Sequence, residues 1–253
     1  MSDRAGVSLS SLMRTELLAL RTIRTPWILA GVTVLVTLVL ALTPVIDSGK
    51  NGAASIGTSA AMLAVLDAIA KGSVVVLLLG VLTVTSEFRH GTATATFLQM
   101  PRRRRVLAAK AGTVIAIGSA LAVVNLAVAL AIGLSTGAVQ LSMFNGDVRL
   151  HVLGLVLAYP LYGALGVGIG ALFIHQPVAV VLPLAWLLLE HGLTDNLPRT
   201  ARPWSLSAVT SALANAGNVE AVLPVLAGGL ALLGYAALLL SVGAARVLRR
   251  DIT

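Results

Sequence analysis

Four groups of residues in this 253-residue chain carry side chains suited to chemistry. Gly133-Leu134-Ser135-Thr136-Gly137 fits G-x-S-x-G, the pattern in which a sharp strand-to-helix turn exposes a nucleophilic serine; His151 would be its base. These five residues close a long apolar stretch with no strand signal before them, and a Gly/Ser/Thr turn at a helix end accounts for the same letters. Asp67 and Lys71 are four residues apart, the spacing that lets them pair along one helix face. Ionisable groups in an apolar run point to a substrate path unless they neutralise one another. Two readings therefore stand: the lining of a translocation cavity, or a self-neutralised pair at its rim. Glu190 and His191 end another apolar run, either as an outer gate or as a polar helix end.

The fourth group is the densest. Ser86 to Lys110 reads SEFRHGTATATFLQMPRRRRVLAAK. It holds Glu87, Phe88, Arg89, His90, Gly91 and Thr92, then the apolar Phe97 and Leu98, a stop at Pro101, and Arg102, Arg103, Arg104 and Arg105. So polar a loop cannot lie in hydrocarbon and must mark one side of a membrane. Phe97 and Leu98 offer an apolar knob to a partner, and the four arginines suit anionic headgroups, at about 1 kcal/mol each. Other chemistry has no residues to carry it. G-x-x-x-x-G-K-[ST] and H-E-x-x-H are absent and there is no cysteine, so no nucleotide, zinc or thiolate site is expected. If ATP and Mg drive this chain, another subunit binds them.

The elements that position these groups follow from composition. The chain is 57% hydrophobic and 11% charged, whereas a soluble domain carries about 25% charged residues. An all-α, polytopic membrane protein is expected, a single transmembrane domain over 1–253. Leu9, Leu12, Met13, Leu17 and Leu20 recur at helical spacing with Arg14 and Arg21 opposite, which predicts an amphipathic interfacial helix over 1–25, the alternative being a helical extension of the first span. Its apolar run comes too late for a signal peptide. Six transmembrane helices are expected at 27–46, 61–85, 106–135, 150–174, 178–193 and 221–245, near the ~20 residues a bilayer requires. Gly163, Gly166, Gly168 and Gly170 give the fourth a small-residue face, suited to close packing inside the bundle. In the outer segment 194–220, Leu206, Val209 and Leu213 recur at helical spacing, with Gly217 to end a short interfacial or re-entrant helix; a plain solvated loop is the other reading. An even number of spans puts both termini on one side. That side then holds Arg4, Arg14, Arg21, Arg24, Arg89, Arg102 to Arg105, Lys110, Arg246, Arg249 and Arg250, 13 of the 18 Lys and Arg. The positive-inside rule makes it cytoplasmic, so the net charge of +8 reads as a topological signal and calls for no nucleic acid.

With these residues in place, the chain resembles the permease subunits of ABC-2 type exporters. SEFRHGT at 86–92, followed by TFLQMPRRRRVLAAK at 96–110, is similar to the acidic-aromatic-Arg-x-Gly-Thr start and basic entry into the third span of actinobacterial members. The likeness in architecture covers the whole chain; in sequence it rests on this stretch. It implies a coupling loop at 86–105, two separate ATP-binding cassette ATPase subunits, and a second permease copy or a related one. It further implies export, across the cell membrane, of a hydrophobic or amphiphilic compound. One departure is that Thr92 to Thr96 alternate like a strand, so periodicity does not itself show a coupling helix. Two other classes stand beside it: a membrane-embedded serine hydrolase using Ser135, and a partner or sensor subunit with no transport path.

Overall fold

A computed structural model describes residues 13–18, 24–47, 58–89, 91, 103–135, 146–173, 175–194, 196, 198, 200–214 and 223–248. Every regular element among them is helical. The order is α1 (Arg24–Ile46), α2 (Ser59–Ala70), α3 (Ser73–Arg89), α4 (Arg103–Ser135), α5 (Gly146–Leu172), α6 (Gln176–Thr194), a 3-10 turn (Arg202–Trp204), α7 (Leu206–Ala214) and α8 (Val225–Leu248). Residues 13–18 are helical as well.

Five stretches are long and apolar enough to cross a membrane: Arg24–Thr43, Ala64–Arg89, Arg104–Ile132, Val152–Leu172 and Val225–Val247. The chain thus has the make-up of a multi-pass membrane protein. The apolar part of α6, Gln176–Glu190, is shorter. Ile28, Leu35 and Val39 on α1, Leu188 and Leu189 on α6, and Leu226 and Leu230 on α8 are exposed, faces that suit hydrocarbon better than water.

The centre of the bundle is α5. It packs on α2, α3, α4, α6, α7 and α8, whereas α1 packs on α2, α3 and α4. Small residues make these approaches possible. A Cβ added at Gly170 would lie 2.8 Å from the Val81 carbonyl oxygen of α3, and one at Gly166 would overlap the Leu77 carbonyl. Gly168 faces α8 in the same way, with Leu239 at 2.7 Å, and Gly154 faces Leu213 of α7. Each of these glycines therefore meets a helix of its own chain. At mid-length α1 is tied to α4, where the buried Thr37 hydroxyl meets the Asn125 side-chain carbonyl.

The helix bounds depart from the sequence expectation by a few residues at most ends, α1 starting at Arg24 and α5 at Gly146, and three elements show the differences that matter. The span expected at 61–85 is broken at Lys71 and Gly72. The Gly72 N–H turns to the Ile69 carbonyl at 2.9 Å, and that carbonyl also accepts the buried Tyr159 hydroxyl at 2.8 Å. A Cβ on Gly72 would overlap Thr37 Cγ2 and lie 2.6 Å from the Tyr159 hydroxyl, so a larger residue here would displace both side chains. The helix expected from 106 starts at Arg103 instead, because arginine is a good helix former and nothing in the run stops it. Its 33 residues extend about 50 Å, well beyond the ~30 Å of a hydrocarbon core. The last long helix runs over Val225–Leu248, a few residues later than 221–245. Within 194–220 a short helix does form, α7, with Val209 and Leu213 buried; Gly217 lies outside the described residues.

Candidate functional site

The two helices that flank the Ser86–Lys110 stretch are joined by one lysine. The Lys110 side chain, on the second turn of α4, is 4% exposed. Its Nζ lies 2.9 Å from Glu16 Oε1 of the N-terminal helical segment and is also bonded to Glu87 Oε1 on the last turn of α3. A buried ammonium is tolerated only when opposite charge and hydrogen bonds replace the water it has lost. Two carboxylates do so here, one from each side. Packing reinforces the same junction. Met13 lies over Gly112, whose added Cβ would meet the methionine Cε at 2.8 Å. Phe88 packs against a cluster formed by Val84, Leu107, Ala111, Val114, Val167, Ala171 and Val247. Three chain segments, from residues 13–18, α3 and α4, thus converge on Lys110.

Glu87 thus has its cation in Lys110, 23 residues along the chain. Arg89 donates to Gln176 Oε1 at 3.3 Å, which links the end of α3 to the start of α6. Gly91 has φ 69°, a left-handed conformation that glycine adopts without strain, and its N–H bonds to Phe88 O at 3.3 Å. Arg104 and Arg105 are exposed on the first turn of α4. His90, Thr92, Phe97, Leu98 and Arg102 lie outside the described residues, as do the side chains of Arg103, His151 and His191.

The remaining candidates fall elsewhere. Asp67 and Lys71 form the i,i+4 ion pair at 3.2 Å, with the lysine 63% exposed, just before the break between α2 and α3. Glu190 is 1% exposed and is no simple polar end. Its Oε1 accepts the Ser207 N–H at 3.0 Å, while Ser205 Oγ accepts the Ala208 N–H at 3.2 Å, so both cap the N-terminus of α7. Nearby, the Tyr162 and Thr210 hydroxyls are 2.6 Å apart, and the Tyr235 hydroxyl donates to the Trp204 carbonyl at 2.6 Å. A cavity of about 570 Å³ opens between α5, α6 and α8 beside this cluster. Among the described residues, no three His, Asp or Glu side chains gather as metal ligands.

Ser135 ends α4 and donates to the Ile132 carbonyl at 2.8 Å, an ordinary helix-end bond. A fluorophosphonate probe is accordingly expected not to label the chain. Labelling that disappears in Ser135→Ala would make the serine a nucleophile.

Lys110 was missed in the sequence as a centre, although a signal existed. It is a lone cation five residues inside an apolar helix, where such a charge needs a partner. The sequence does not say that the partners would be 23 and 94 residues away. A scan against models of known protein families finds no match, and neither does a search of curated proteins.

Proposed function

We propose that this chain is the membrane subunit of an ATP-driven exporter of a hydrophobic or amphiphilic compound. The observation that carries the reading is the Glu16–Lys110–Glu87 junction, which binds together the elements on both sides of the polar stretch. A force applied to residues 86–105 by a cytoplasmic partner would reach α3, α4 and the N-terminal segment at once. In this reading α6 is a sixth span beside the five longer ones. The termini and the coupling loop are then cytoplasmic, the segment 194–220 is outside, and the chain sits in the cell membrane. Residues 1–25 lie at the inner interface. Two ATP-binding cassette subunits carry ATP and Mg, a second permease copy or a related one completes the pathway, and nucleic acid has no part. Phe97 and Leu98 contact the cassettes, and Arg102 to Arg105 meet lipid headgroups.

The reading is tested by purification and labelling. The tagged chain is expected to copurify with an ATPase subunit, two copies per pair of permease chains. In this cysteine-free chain, Gly52→Cys and Asn218→Cys are expected to react with a membrane-impermeant maleimide in intact cells, and Arg103→Cys is not. External labelling of Arg103→Cys would reverse the orientation and remove the coupling role from the loop. A complex with no ATPase subunit would leave export without its energy source.

A further inference from the structure

The cavity between α5, α6 and α8 is almost wholly apolar, yet a charged group with a free oxygen is built in behind its wall. Leu77 of α3 lines it, and Trp186 of α6, Trp204 and Tyr235 of α8 supply aromatic rings. Glu190 follows Leu189, which lines the cavity, and binds the N–H of Ser207, which follows the lining residues Ser205 and Leu206. Its Oε1 is occupied by that bond. Oε2 is buried without a hydrogen-bond partner. A carboxylate withdrawn from water needs a counter-charge or a further donor, and the Tyr162 and Tyr235 hydroxyls are each taken up elsewhere. Aromatic faces attract cations, more strongly where water is excluded.

We propose that this cavity binds a lipophilic organic cation, its apolar body between Trp186, Trp204 and Tyr235 and its charge balanced by Glu190. The inference rests on the exporter reading only in calling that cation a substrate; the binding itself belongs to the single chain. A volume of about 570 Å³ is within the range of small-molecule sites. An acyl chain or a neutral apolar compound would fill the same walls without using the carboxylate.

The probes are tetraphenylphosphonium and tetraphenylborate, two ions of matched shape and opposite charge. Each is titrated into the purified full chain in uncharged, lipid-free maltoside micelles, with empty micelles subtracted. Tryptophan emission reports occupancy, since two of the three tryptophans line the cavity. The phosphonium is expected to bind saturably and at least about tenfold more tightly than the borate. Glu190→Gln keeps an oxygen for the Ser207 N–H and is expected to bring the two ions within about twofold of each other. Leu182→Trp, at an exposed lining position, is expected to weaken phosphonium binding by narrowing the cavity. Equal or tighter borate binding by the unsubstituted chain overturns the proposal, and so does a phosphonium preference that survives in Glu190→Gln. If Glu190→Gln does not fold, the preference of the unsubstituted chain and the response of Leu182→Trp decide. No ATPase is present, so failure here leaves the exporter reading standing, and failure to copurify with a cassette leaves this site standing.

Discussion

Gly166→Leu is expected to prevent the bundle from closing. Any Cβ at this position overlaps the Leu77 carbonyl, and the Gly80 Cα would lie 3.1 Å away. The obstacle is backbone on α3, so no side chain can rotate aside. Forcing extra atoms into a packed core costs about 1–3 kcal/mol and occasionally more, and a leucine between two helix backbones belongs at the upper end. The expected result is loss of the monodisperse species in size-exclusion chromatography, or a clearly lowered Tm in detergent. Gly31→Leu is the control, because nothing lies within 4 Å of the Cβ it would add on α1. It should behave as the parent chain. If both variants eluted and melted alike, the close approach of α3 and α5 would be wrong.

Lys110→Met should free the N-terminal segment from the bundle. Methionine fills a similar volume, but it leaves Glu16 and Glu87 facing each other with no cation between them. Removing one partner of a buried ion pair costs on the order of 3 kcal/mol, equivalent to about a hundredfold increase in the open population. The chain contains no cysteine, so Met13→Cys with Gly112→Cys reports the contact directly. The pair should cross-link under mild oxidation when Lys110 is present. It should cross-link far more slowly in Lys110→Met, and under the exporter proposal coupling between ATP hydrolysis and transport should fall in parallel. An unchanged cross-linking rate would show that Met13 and its neighbours hold the segment without the lysine.

Some of this arrangement is legible in the amino-acid order and some is not, and the division has a physical cause. Long apolar runs place the helices, because a bilayer sets their length and demands that every backbone group be satisfied internally. The glycines from Gly163 to Gly170 announce a close approach, and the helices they meet do belong to the same chain. The i,i+4 pair of Asp67 and Lys71 is also local, and it forms. What local periodicity does not contain is a partner far along the chain. The break at Gly72 depends on the hydroxyl of Tyr159, 90 residues from the Ile69 carbonyl it bonds. Hydropathy alone runs through that point without interruption. Glu190 looks like a helix end in the sequence and becomes a cap on α7 only once α6 and α7 meet. Lys110 belongs to the same class, since both of its carboxylates are supplied by other segments.

The central place of α5 has a consequence for how the protein is made. A ribosome delivers the chain from the N-terminus, at about 5–20 residues per second, so α1 to α4 are all synthesised before the helix that most of them pack against. During those seconds the face of α3 that carries Leu77, Gly80 and Val81 meets lipid or the insertion machinery, because Gly166 and Gly170 do not yet exist. The early contacts available to α1 are those with α2, α3 and α4, among them the Thr37–Asn125 link. These are the contacts within the first half of the chain that α5 completes when it arrives. Slowing translation once α4 has left the ribosome, and before α5 has, would lengthen the time that α1 to α4 spend without their central partner and exposed to membrane quality control.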